Sequence, residues 1–136
     1  MPATPLMDGT LRITNSYEDS TESYRRLIDD TVTGERLQHV KVQIADSATD
    51  VEVAVDVDVA QLLLLLIRSD GALTVETNNG TTPDDTFVLA ADKFIHWSTN
   101  KGTDVQLTVD ITTNVFASNS SGDVRELEII VLTTTP

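Results

Sequence analysis

From Val51 to Ala60 the chain alternates without a break: Val51, Val53, Val55, Val57 and Val59 are separated by Glu52, Ala54, Asp56 and Asp58, and Ala60 closes the run. Side chains on a β-strand leave opposite faces at period two, so the valines fall on one face and the three carboxylates on the other. A helix, with 3.6 residues per turn, would scatter the same valines around its circumference. The segment is expected to be a strand with one wet side, and the fold must supply a dry surface for the other.

Shorter pieces repeat this logic along the chain. Leu37, Val40, Val42 and Ile44 mark a strand from about Leu37 to Ala45, ended by the turn formers Asp46-Ser47-Ala48-Thr49-Asp50. The run from Leu62 to Ile67 is apolar throughout, which fits a strand buried on both faces and falls far short of the roughly 20 residues that span a bilayer. Asp70-Gly71 separates it from Ala72–Thr77 and predicts a tight hairpin with a two-residue type I′ turn. After a loop over residues 78–85, Phe87–Leu89 and Phe94–Trp97 read as short strands around a turn at Ala91-Asp92. Val105, Leu107, Val109 and Ile111 predict another half-buried strand, followed by Val115–Ala117, a turn over Asn119–Asp123 and a last strand over Leu127–Leu132.

The N-terminal third is less patterned. Leu11 and Ile13 predict a short strand within Thr10–Asn15, at a sheet edge, while residues 16–35 are polar or irregular and are expected to be mostly loop. Residues 1–9, with Pro2 and Pro5, read as a flexible N-terminal arm, and residues 10–136 as a single β-sandwich domain. Eight or nine strands, turn chemistry between them, no amphipathic helix and no repeat at a fixed period give an expected fold class: all-β, an antiparallel β-sandwich, jelly-roll or Greek-key like, with an extended N-terminal arm.

Charge narrows the partners. With 22 acidic against 9 basic residues the chain carries a formal charge of −13, which repels phosphate backbones and anionic lipid alike. No nucleic acid and no membrane is expected as partner; a basic protein surface is. The chain has no cysteine, so packing and the hydrogen-bond ladder must hold the fold. The start, Met1-Pro2-Ala3-Thr4-Pro5, lacks the basic and apolar stretches of a secretory signal.

Reaction chemistry is hard to find in these residues. His39 and His96 lie on separate expected strands, each without a ligand-type residue at metal-like spacing. Asp46, Asp50, Glu52, Asp56 and Asp58, and separately Asp84-Asp85, are hard-oxygen groups of the kind calcium prefers, but alternate positions on a strand stand about 7 Å apart and solvation explains them more simply. No glycine-flanked serine turn, phosphate-cradling glycine loop or aromatic platform with interleaved basic residues occurs. Asn79-Gly80-Thr81 and Asn119-Ser120-Ser121 fit the glycosylation pattern yet read as ordinary turns. The expectation is a binding protein, not an enzyme, with no catalytic, cofactor-binding or metal-binding residues and no cofactor.

Five stretches of the second half, from Leu65 to Leu132, are similar in style to a module of tailed-phage virion proteins: Leu66–Gly71, Pro83–Leu89, Phe94–Ser98, Val115–Gly122 and Leu127–Leu132. The resemblance implies a capsid decoration or cement protein on the surface of the virion, bridging neighbouring major capsid protein subunits and made in the host cytoplasm. A homo-oligomer (trimer or dimer) is a further partner relation, and the sequence leaves open whether the free protein is monomeric or trimeric. The alternatives are another phage component (tail, fibre or connector accessory) and a carbohydrate-binding β-sandwich module in which Trp97 or Tyr17 stacks on a sugar.

Overall fold

A computed structural model describes residues 6–19, 24–100 and 104–134. Among these residues the chain is all-β: β1 (Leu6–Asp19), β2 (Tyr24–Ile44), β3 (Val51–Ala54), a 3-10 turn at Val59–Gln61, β4 (Leu62–Ser69), β5 (Leu73–Thr77), β6 (Thr86–Leu89), β7 (Ile95–Ser98), β8 (Asn114–Ser118) and β9 (Arg125–Thr133). The strands form two antiparallel sheets, in the orders β1-β2-β9-β4-β7 and β3-β8-β5-β6.

Setting β1 aside, the pairings nest: β2 with β9, β3 with β8, β4 with β7 and β5 with β6. Two more pairings, β4 with β9 and β5 with β8, join those pairs into sheets. From β2 onward only the β5–β6 connection stays within one sheet; every other step crosses to the opposite one. Leu65, Ile67, Ile129 and Val131 of the larger sheet and Val53, Val75, Val115 and Ala117 of the smaller one belong to a single buried cluster, so the two sheets share one core.

The valine alternation does what its period requires. Val53, Val55 and Val57 are buried, Val51 and Val59 pack partly buried against them, and Glu52 and Asp58 stay exposed. The ladder, however, stops at Ala54. Beyond it the Val55 and Val57 N–H groups donate to the Thr113 and Ile111 carbonyls, and Asp58 caps the 3-10 turn by accepting from the Ala60 N–H.

β4 is buried on both faces. Leu64, Leu65, Leu66 and Ile67 are at most 1% exposed. Leu65 and Ile67 face the shared core, while Leu64 and Leu66 form a second cluster with Leu132 and with Val32 of β2. Val32 lies upstream of Leu37, the residue that pairs with Leu132. Val32 thus covers Leu64 and Leu66 on the outer side of the sheet. Gly34 allows the close approach: a Cβ there would lie 2.6 Å from Leu132 Cγ, closer than real Cβ contacts.

Several sequence expectations are corrected. The hairpin at Asp70-Gly71 does not form, because β4 and β5 belong to different sheets and neither Asp70 nor Gly71 has positive φ. Both edges of β4 are already taken, by β9 and β7, so the chain crosses over. Gly71 serves space instead of φ, since a side chain there would run into the Arg125 guanidinium. The strand expected over Val105–Ile111 is irregular apart from one bridge, Val57 to Ile111, with Leu107 and Ile111 buried and Val109 exposed. The loop expected over residues 16–35 is strand at residues 16–19 and 24–35, paired residue by residue between β1 and β2. A ladder bonds backbone to backbone and tolerates polar sequence there. The short strand over Thr10–Asn15 is the middle of β1, at the sheet edge as anticipated. Of the expected N-terminal arm, residues 6–9 belong to β1 and residues 1–5 lie outside the described residues.

Because Leu132 is enclosed and cannot yield, Gly34→Val is expected to destabilise the protein by about 1–3 kcal/mol. Urea denaturation should show a lower midpoint with an unchanged slope.

Candidate interaction surfaces

Several aspartates tie connections together. Asn78, in the left-handed region at φ 66°, donates from Nδ2 to Asp84 Oδ2 (2.7 Å) and to the Asp110 carbonyl (2.9 Å), and its Oδ1 accepts from the Thr112 N–H (2.9 Å). Asp85 accepts from both the N–H and the hydroxyl of Thr108, each at 2.9 Å, and Asp110 Oδ1 accepts from the Val59 N–H. The connections β3–β4, β5–β6 and β7–β8 are thereby cross-linked at one end of the two-sheet unit. This network takes the place of the strand expected over Val105–Ile111, because side-chain acceptors can satisfy loop N–H groups as well as a ladder does. At the other end buried Asn119 donates to the Ile44 and Asp123 carbonyls and accepts from Ser121, joining the β8–β9 turn to the end of β2.

On the outer side of the larger sheet, register brings Arg68 and Lys41 opposite Glu128 on β9. Glu128 is only 10% exposed at its side chain; it accepts from Arg68 and lies 2.7 Å from His39 Nε2. Burial pushes its carboxyl upward, but the hydrogen bonds from His39 and Arg68 and the attraction of both prevail, leaving it below the ordinary carboxylate range. The cluster borders an open cleft of about 240 Å³ lined by Lys41, Arg68, Asp70, Phe94, Glu126 and Glu128. Lys41 is itself 3.6 Å from Glu126. Cationic and anionic groups neutralise one another here, an arrangement suited to holding three strands in register.

The outer side of the smaller sheet is built differently. Phe116 on β8 is directly opposite Glu52 of β3 on one side and Glu76 of β5 on the other, and Thr86 of β6 completes the row. The next row runs Ser118, Thr74, Val88. Phe116 is half-buried and Val88 is 73% exposed. None of the nine Lys and Arg residues lies on β3, β5, β6 or β8, so the two glutamates have no counter-charge within their sheet.

The residues weighed from sequence are thus dispersed. His39 joins Glu128, whereas His96 stands half-buried on β7. Among the described residues no three His, Cys, Asp or Glu side chains gather as a metal site. Asp56 instead pairs with Arg36 through two 3.0 Å hydrogen bonds, Asp46 accepts from the Gly122 N–H, and Asp50 Oδ1 accepts from Ser118. Trp97 is half-buried and packs against the main core. The Arg68–Glu128–His39 cluster and the Glu52–Phe116–Glu76 row had no local signature, because both arise from the register between strands far apart in sequence.

A carboxylate held below its ordinary range stabilises the fold above its unfolded pKa and loses that contribution as pH falls through the folded value. Glu128→Gln is therefore expected to lower stability at neutral pH by about 1–3 kcal/mol. The difference from the parent chain should shrink as both are titrated into acid, measured by thermal melting from pH 7 to pH 3.

Set beside known proteins, the chain matches no family model, no curated protein and no solved structure.

Proposed function

We propose that the chain is a structural protein of a virus particle: a capsid decoration or cement protein that binds and stabilises neighbouring major capsid protein subunits. The observation that carries this reading is the nested pairing of β2 through β9. Four concentric strand pairs, closed at a β5–β6 tip and split into two four-stranded sheets, support a jelly-roll β-sandwich, an architecture that viral capsid proteins use.

The β1–β2 ribbon adds to it. Its eleven successive pairs from Gly9–Gly34 to Asp19–Tyr24 precede Arg36, where the pairing of β2 with β9 begins. That length spans about 35 Å. A two-stranded ribbon is marginal in water by itself, and one of this reach gains order by lying on a neighbouring subunit. We read it as a projecting attachment ribbon, distinct from the arm expected over residues 1–9. The resemblance in style read from five stretches of the second half fits this proposal, as does a net charge that favours a basic protein partner over nucleic acid.

Counting copies on purified particles by quantitative mass spectrometry tests the proposal. Hundreds of copies per head are expected; a handful at one vertex indicates a tail or connector component, and none at all removes the chain from the particle. Removing residues 1–31 while keeping Val32 and Gly34 should weaken retention about tenfold or more, as loss of an anchoring segment does. Equal retention of the shortened chain would show that the ribbon makes no part of the attachment.

A further inference from the structure

The two outer faces of the molecule are unequal. On the larger sheet the apolar patch of Leu64, Leu66 and Leu132 is closed by Val32 of the chain's own β2, and the charges beside it are matched between Arg68, His39, Lys41 and the glutamates of β9. On the smaller sheet no Lys or Arg among the described residues pairs with Glu52 or Glu76, and between them stands an aromatic ring. An outward strand face in water is ordinarily polar, whereas aromatic residues are enriched where proteins meet.

We propose that the outer face of β3-β8-β5-β6 is the surface that seats the chain on its partner, and that the partner presents an Arg or Lys side chain over Phe116, between Glu52 and Glu76; this rests on the reading of the chain as a particle protein. The spacing fits. Neighbouring strands lie about 4.8 Å apart, so the two glutamates start roughly 10 Å apart with the ring midway. A guanidinium or ammonium lying on that ring is within reach of both carboxylates and gains the attraction of the ring face as well. The hydroxyl-bearing Thr74 and Thr86 around it supply donors and acceptors for a polar rim, and exposed Val88 supplies an apolar contact at its edge. The choice of a basic protein surface follows from charge complementarity: the face bears two unmatched carboxylates and belongs to a chain of charge −13.

The test uses particles purified from cells that produce the chain, with p-benzoylphenylalanine placed at Val88 in one sample and at exposed Gln43 in another. Illumination should attach the Val88 position to a Lys- or Arg-bearing segment of a shell protein, identified by mass spectrometry, and the Gln43 position much less. The double variant Glu52→Lys/Glu76→Lys should be retained about tenfold less or worse, and Glu52→Gln/Glu76→Gln should show an intermediate loss together with weaker dependence on salt. Melting temperatures close to the parent's establish that both variants fold. Cross-linking from Gln43 alone, or undiminished retention of the Lys variant, would overturn the docking face while leaving the particle assignment standing. A chain missing from particles altogether overturns both.

Discussion

β4 is the strand on which the rest of the molecule leans. Its side chains enter two separate dry layers: Leu65 and Ile67 reach the core shared by both sheets, while Leu64 and Leu66 are sealed from the other side by Val32. Burying each such residue contributes about 1.5–3 kcal/mol. With β9 on one edge and β7 on the other, every backbone group of its central stretch has a ladder partner to find. Both the placement of Val32 and the crossing at Asp70-Gly71 follow. Val32 must cover what β4 exposes outward, and a strand with both edges occupied cannot also hold β5.

The nesting has a consequence for the connections. The links between strands hold N–H and C=O groups that no ladder satisfies. Asn78, Asp85, Asp110 and Asn119 supply those missing partners. Two aspartates, Asp85 and Asp110, are thus spent on loop amides. On the outer face of the smaller sheet Glu52 and Glu76 have no Lys or Arg on their own strands to answer them.

Local sequence revealed most strands and little of their arrangement. The valines of residues 51–59, the double burial of Leu62–Ile67 and the final strand were readable because period and apolarity are local properties. Val105–Ile111 had the same period and formed no strand, since Leu107 and Ile111 could be buried while neighbouring amides bonded to Asp85 and Asn78. Asp-Gly carried a local turn preference that tertiary pairing overrode. The extent of β1 and β2 was hidden because it depends on backbone pairing across polar residues. The clusters at Glu128 and Phe116 were equally illegible: Glu52 and Phe116 become neighbours only once β3 and β8 are aligned.

Amide hydrogen exchange across β4 tests the arrangement most directly. A central strand bonded on both edges should protect the consecutive amides of Leu64, Leu65, Leu66 and Ile67 together, with exchange requiring global unfolding. Alternating protection, one amide slow and the next fast, would mean that β4 lies at a sheet edge. The hairpin with β5 that Asp70-Gly71 favours locally would then be the true pairing, and the nested order would be wrong.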